Sequence, residues 1–475
     1  MVHDRRERAR AARGRAARDE GVCVPEHPSP DVTALADGFR WSVATAAFQI
    51  EGARRADGRG RSIWDDFVDA PGGVRDGSTA EPGPDSYHRW AEDVELLRGL
   101  GVDRYRFSIS WVRVQPDGRG TAEPRGLAYY DRLVDDLLAA GVTPHPTLYH
   151  WDLPASLEAR GGWLDRETAE RFRDYSAIVA DAFGDRVKHW YTINEPVSTS
   201  LQGYAIGELA PGRQLLFESL PTVHHQLLAH GLALSVLRHT GAETVGIVNN
   251  HTLVLPATDS AEDAQAAHVY DLLHNRVFAE PILLGRYPDL DALGLPPMPV
   301  EDGDLDLIGA PTDVYGFNFY NPTTVAAASG ESPIPFEIVP TPGASHTGFG
   351  ELWPIVPGAL TELLVDFRER YGASLPPIAI AENGASFPEP DEVTEPLHDR
   401  DRIGYLAGHI AAVGRARDAG VRVDEYTVWS LLDNFEWADG YTQRFGLVHV
   451  DQATSLRTPK DSFDWYRGVI EEARS

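Results

Sequence analysis

Cysteine is almost absent from this chain of 475 residues; Cys23 is the single one. One thiol forms no intramolecular disulfide and no thiolate metal cluster, so neither staple holds the fold. Long apolar runs are missing as well. No stretch approaches the roughly 18–20 apolar residues that a membrane helix needs. Positive charge is scarce: 43 Lys and Arg stand against 72 Asp and Glu, a formal net charge of −29. Such a surface repels phosphate backbones, which argues against nucleic acid as a partner, and its plain consequence is solubility. The first thirty residues break that balance. Arg5, Arg6, Arg8, Arg10, Arg13, Arg15 and Arg18 lie among alanines, and Pro25, Pro28 and Pro30 follow. No apolar segment accompanies the arginines, so they make neither a secretory signal nor a membrane-surface helix. The expectation is a disordered tail over 1–30, one folded domain over 31–475, no membrane partner and a cytoplasmic protein. The oligomeric state is left open, a homo-oligomer included.

What the chain does have is a globular composition, 42% hydrophobic and 9% aromatic, enough for one large core. From Phe39 onward, strand-like and helix-like segments alternate. Strand candidates cover 40–46, 104–110, 143–149, 189–194, 245–249, 314–319, 377–381 and 425–429. They are short, rich in β-branched and aromatic residues, and often preceded by Gly or Pro. Between them lie helical stripes. Phe172, Tyr175, Val179 and Phe183 recur at helical spacing, with Asp165 placed to cap the start. Leu133, Val134, Leu137 and Leu138 form another stripe. Gly101, Gly141 and Gly420 stop the helices that run into the next strand. Eight strands, each followed by helical material, imply an α/β fold: a single (β/α)8 TIM barrel with long βα loops. A doubly wound sheet is the alternative, but no G-x-G-x-x-G follows an early strand.

In such barrels chemistry sits at the C-terminal ends of the strands. Here those ends are polar and aromatic: Tyr149-His150-Trp151-Asp152 on strand three, Asn194-Glu195-Pro196 on four, Asn318-Phe319-Tyr320 on six, Glu382-Asn383-Gly384 on seven, and Trp429 with Glu436-Trp437 on eight. One such ending is often only a loop cap. Five around one rim make a pocket. Aromatic faces suit the C–H faces of sugar rings, and carboxylates, amides and imidazoles suit hydroxyls. Two glutamates on strands four and seven, which face each other across an eight-stranded barrel, fit glycoside hydrolysis.

At these residues the chain resembles family 1 glycoside hydrolases, the β-glucosidase family of (β/α)8 barrels. The resemblance runs from about Phe39 to Tyr466. It rests on Phe48-Gln49-Ile50-Glu51-Gly52, Tyr105-Arg106-Phe107-Ser108-Ile109, His150-Trp151-Asp152-Leu153-Pro154, Thr192-Ile193-Asn194-Glu195-Pro196, Glu382-Asn383-Gly384, the block from Trp429 to Trp437, and Arg457-Thr458-Pro459-Lys460-Asp461-Ser462. One tripeptide would mean little; all of these in order are specific. The resemblance implies Glu195 as acid/base and Glu382 as nucleophile, with Arg106, Asn194 and Tyr320 in support. It implies Gln49, His150, Trp151, Trp429, Glu436, Trp437 and Phe445 around the glycone, and Trp353 on the aglycone side. The implied activity is retaining hydrolysis of β-glucosides, aryl, alkyl or cello-oligosaccharide. Galactoside or fucoside hydrolysis and transglycosylation are the neighbouring alternatives, and a non-catalytic sugar-binding barrel the remote one.

Several positions depart from the family pattern: Ala381 before Glu-Asn-Gly, Phe319 between Asn and Tyr, and Gln452 after Val450-Asp451. None removes a catalytic group. Glu436, Gln443 and Phe445 stand where the phospho-glycosidase branch carries phosphate-binding residues, and a carboxylate there repels phosphate. Scattered histidines such as His224 and His225 form no metal constellation, so neither a metal nor another cofactor is expected.

Overall fold

Eight parallel strands hydrogen-bond side by side, and the last returns to the first. They are β1 (Arg40–Ala44), β2 (Arg104–Ser108), β3 (Thr143–Tyr149), β4 (His189–Asn194), β5 (Thr244–Asn250), β6 (Val314–Asn318), β7 (Ile378–Asn383) and β8 (Val423–Trp429) in the computed structural model. The barrel closes where β1 pairs with β8, from Arg40↔Glu425 to Ala44↔Trp429. The structure describes residues 30–35, 38–330, 332, 334–390 and 397–475. The arginine-rich stretch and Cys23 lie outside the described residues.

The strands are buried on both faces, as parallel strands under a helical shell must be. All six residues of β7 are buried, and only Arg40 of β1 is exposed. The shell consists of α1 (Ser86–Leu100), α2 (Pro124–Ala139), α3 (Glu167–Phe183), α4 (Leu220–His239), α5 (Val277–Leu284), α6 (Pro357–Tyr371), α7 (Arg400–Asp418) and α8 (Asp461–Ala473). α2 starts on Pro124, whose missing N–H costs nothing in the first turn, and buries Tyr129, Tyr130, Leu133, Val134 and Leu137. Leu138, expected in the same stripe, is 41% exposed. It lies one helical step past the edge of the buried face, beyond the reach of the core. α3 buries Phe172, Tyr175, Val179 and Phe183 as expected, and Asp165 accepts a hydrogen bond from the Glu167 N–H at its start. Gly101, Gly141 and Gly420 hold φ values of 77°, 78° and 87°. That left-handed turn costs glycine little and lets the chain leave the helix for the next strand.

β3 and β4 have the expected bounds. β7 runs two residues further than the sequence suggests and carries Glu382 on the strand itself. Glu and Asn are poor strand formers; here pairing of Glu382 with Asn318 and of Asn383 with Val428 overrides that preference. Long loops rise from the C-terminal rim. Between β5 and β7 they add a small sheet of Val254–Pro256, Thr323–Ala327 and Phe336–Val339. No helix among the described residues is long and apolar enough to cross a membrane.

Candidate active site

Both glutamates sit where a strand slips out of regular pairing. Along β4, Tyr191 faces Gly246 of β5 and Asn194 faces Val248, so three steps on one strand match two on the other. Along β7, Ile380 faces Phe317 of β6 while Glu382 faces Asn318, two steps against one. An extra residue of this kind bends the strand and re-aims the side chains after it. Glu195 itself has φ 45°, and Trp151 and Trp437 are likewise left-handed at 78° and 49°. Such conformations cost energy for residues with a side chain and collect at functional sites.

The rim brings together every candidate read from the sequence. Gln49, Arg106, His150, Asn194, Glu195, Glu382, Trp429, Trp437 and Phe445 are buried there, and Trp151, Tyr320, Trp353 and Glu436 are half-buried.

Arg106 is the hub. Its guanidinium donates to Glu382 Oε1 at 2.5 Å, to the Ala381 carbonyl at 3.0 Å and to Asn194 Oδ1 at 2.6 Å. The Tyr320 hydroxyl donates to the other oxygen of Glu382 at 2.6 Å. Burial, then the Glu382 charge, pushes the Tyr320 phenol well above its ordinary range, so it stays a donor. Glu382 is thus held on both oxygens, by a charge-assisted hydrogen bond on one and a phenol on the other.

Glu195 meets neutral donors only. Asn318 donates to Oε1 at 2.7 Å, Asn250 to the same oxygen at 3.1 Å, and Ser198 to Oε2 at 2.7 Å. Burial raises its pKa, and the Glu382 charge adds to this; the three hydrogen bonds lower it, and the balance is about 7. The two carboxyl groups of one pocket thus have different partners, a cation and a phenol for Glu382 and neutral donors for Glu195, the asymmetry that nucleophile and acid roles require. Asn194 joins the two sides. Its Oδ1 takes hydrogen bonds from Arg106 and Asn318, and its Nδ2 lies 3.0 Å from His150 Nε2. One N–H of its amide remains for a ligand.

Beside the carboxyls is an aromatic wall. The His150 ring lies 5.9 Å from Trp429 and 6.0 Å from Trp437, both near parallel. Trp437 also stacks on Phe48 at 6.0 Å and packs against Trp64 and Trp151. The Trp151 indole N–H is taken by the Asn194 carbonyl, so Trp151 offers only its ring. Burial, then Arg106, holds His150 well below its usual pKa and therefore neutral. Gln49 donates to Asn434 Oδ1, the Phe435 carbonyl and Glu436 Oε2, while its own Oε1 is buried without a partner. Glu436 is pushed well above the usual carboxylate range by burial, then by Asp439 and Glu382. Unpaired acceptors in an aromatic pocket are what sugar hydroxyls satisfy. Trp353 stacks on Phe349 at 4.3 Å and lies 5.5 Å from Tyr320, on the Glu382 side of the rim.

Sequence reasoning missed Ser198, Asn250 and Asn318 as partners of Glu195. Asn318 was visible as a strand ending, but its direction was not. Asn250 ends β5, the one polar strand ending that the motif pattern passed over. Ser198 lies one helical turn past Glu195, a spacing that brings side chains together. Among the described residues, Glu389, Asp433 and His449 also converge. Lys460 Nζ occupies that cluster, 2.7 Å from Glu389 and 2.9 Å from Asp433, so it is a buried ion-pair network.

The model of the family described as Glycosyl hydrolase family 1 matches residues 32–475. Beta-glucosidase A of Thermotoga maritima is 41% identical over 446 residues, 93% of this chain and 98% of that protein. A bifunctional beta-D-glucosidase/beta-D-fucosidase of Bifidobacterium breve is 43% identical over 92% of this chain and 98% of its own length. Among solved structures, a psychrophilic beta-glucosidase from Micrococcus antarcticus superimposes with a TM-score of 0.88 at 44% identity, covering 92% of this chain and 97% of that one. The Thermotoga maritima beta-glucosidase in complex with glucoimidazole gives a TM-score of 0.87 at 40% identity, over 93% and 100% of the two chains.

Proposed function

The chain belongs to glycosyl hydrolase family 1, and from that membership we propose that it hydrolyses terminal β-D-glucosyl bonds with retention of configuration. The observation that carries this reading is the split environment of its two carboxyl groups. Arg106 and Tyr320 each bind one oxygen of Glu382 and aim it, while burial, then the Glu382 charge, raises the Glu195 pKa to about 7.

Glu382 attacks the anomeric carbon as the glycosidic C–O bond breaks, and Glu195 gives its proton to the departing oxygen. The result is a glycosyl ester on Glu382, which no longer carries charge. Glu195, now an anion without an anionic neighbour, becomes more acidic and takes a proton from water. That water attacks the same carbon and frees Glu382. Two inversions give net retention. Arg106 and Tyr320 position the nucleophile, and Asn194 offers its remaining N–H to the sugar. Gln49, His150, Glu436 and Trp437 bind hydroxyls, Trp429 and Phe445 close on the ring faces, Trp151 backs the wall, and Trp353 faces the leaving group.

The beta-glucosidase of Thermotoga maritima supports a glucoside, and the bifunctional Bifidobacterium breve relative supports fucoside tolerance as a second specificity. The test is proton NMR of a β-glucoside hydrolysis in its first minutes. β-Glucose as the first product is expected. α-Glucose would make the enzyme inverting; binding without release of any sugar would make it a non-catalytic barrel.

A further inference from the structure

Glu436 and Trp437 belong to a tight loop that closes on itself. The Glu436 N–H donates to the Gly440 carbonyl at 2.7 Å, and the Asp439 N–H to the Glu436 carbonyl at 2.8 Å. Trp437 takes its left-handed φ of 49° inside this loop, and Gly440 has φ 63° and ψ −129°, a conformation that favours glycine. Among the described residues, 436–441 make polar contacts with two places beyond their immediate neighbours. Inside the pocket, Gln49 donates to Glu436 Oε2 at 3.2 Å. On the outer side stand Arg75 and Asp76, both exposed, in the loop that precedes α1.

The outer contact is close. The Arg75 N–H donates to the Ala438 carbonyl at 2.8 Å, and its guanidinium pairs with Asp439 at 2.5 Å. Asp76 Oδ2 accepts the Tyr441 N–H at 2.8 Å, while its Oδ1 accepts the Ser78 N–H at 2.9 Å, which fixes the carboxylate. A Cβ on Gly440 would stand 2.1 Å from Asp76 Oδ1. The carboxylate therefore lies directly against the residue whose carbonyl holds the Glu436 N–H. Trp437 is wedged from inside among Phe48, Trp64 and Trp151. The Glu436 side chain has one hydrogen bond among the described residues, the long one from Gln49, so its aim follows the backbone that carries it.

Resting on the reading of Glu436 as a hydroxyl-binding group, we propose that Asp76, an exposed residue outside the pocket, is a positioning residue for the sugar. It is the acceptor that fixes Gly440 and Tyr441 and, through the Gly440 carbonyl, the direction in which Glu436 meets its hydroxyl. The charge of Asp76 is a separate matter. Burial, and less so the Asp76 charge, pushes Asp439 above its ordinary range against the pull of Arg75. Asparagine at position 76 separates the two, since it keeps an acceptor oxygen and drops the charge.

The experiment is a double-mutant cycle on kcat/KM for a dinitrophenyl β-glucoside. It compares Asp76→Ala, Asp76→Asn, Glu436→Ala and the two double variants with wild type, with circular dichroism and Tm as folding controls. Asp76→Ala should lower kcat/KM about fivefold, and Asp76→Asn should stay within about twofold of wild type. In the Glu436→Ala background the Asp76→Ala loss should shrink to less than about twofold, because the group that Asp76 positions is gone. No loss in Asp76→Ala, the same loss in Asp76→Asn, a loss that repeats in full without Glu436, or an unfolded Asp76→Ala overturns the inference while the β-glucosidase reading stands. If Glu436→Ala keeps wild-type activity, or no glucoside is cleaved, the reading of the site fails first and this one with it.

Discussion

The Ser198 hydroxyl reaches Glu195 Oε2 at 2.7 Å from one helical turn further along the chain. It is one of three hydrogen bonds that pull the Glu195 pKa down against burial and the Glu382 charge. The first prediction follows from that balance. Glu195 works as an acid only while protonated, so kcat/KM should fall on the alkaline side with a midpoint near 7. Ser198→Ala removes a downward pull, so the midpoint should rise, by about half a pH unit. A pH–rate profile of both proteins checks the sign; a midpoint that falls would contradict the assignment.

Loss of the acid should depend on what leaves. Glu195→Ala should slow alkyl β-glucosides by about 10³-fold and a dinitrophenyl β-glucoside far less, because that leaving group departs without a proton. Added azide should attack the stalled glycosyl-enzyme and give a β-glucosyl azide. Equal losses on both substrates would remove Glu195 from the role of acid.

Loss of the nucleophile should be absolute until it is replaced. Glu382→Ala should lower kcat by about 10⁴-fold or more. Azide or formate should restore part of it, with α-configured products, because an anion then attacks from the vacated face. The products are read by NMR, and β-configured product would point to a different nucleophile.

Gly384 follows the Glu382-Asn383 pair, and a Cβ there would stand 1.8 Å from the Trp429 carbonyl oxygen. Backbone atoms of β8 cannot give that distance. Gly384→Ala should therefore cost about 3 kcal/mol or more, read as a lower denaturant midpoint. It should also disturb the spacing between Glu382 and Trp429. A stable, fully active variant would mean that the strand end moves more freely than its packing implies.

The barrel was legible because the strands are rich in β-branched and aromatic residues and a glycine usually ends the helix before the next strand, as at Gly101, Gly141 and Gly420. The strand ends Asn194, Glu195 and Glu382 were legible through the motif blocks. What the sequence hid was direction. Nothing in Glu382-Asn383 signals a strand, yet pairing with Asn318 and Val428 makes it one. Leu138 has the composition of a core residue and faces water, because helix geometry, not hydrophobicity, assigns the face. Asn250 and Ser198 carry no motif. Their value to Glu195 comes from approach across the fold, which a linear reading does not contain.

The extra residues in β4 and β7 bear on how such chains are recognised from genomes. Removing one residue between Tyr191 and Asn194 would leave the Asn-Glu-Pro string intact and restore even pairing with β5. It would also turn the following side chains to the opposite face of the sheet. A gene with that three-base deletion would still carry the Asn-Glu-Pro and Glu-Asn-Gly strings and would encode a barrel with no acid in its pocket. For members of this family, the number of residues leading into a motif is as diagnostic as the motif.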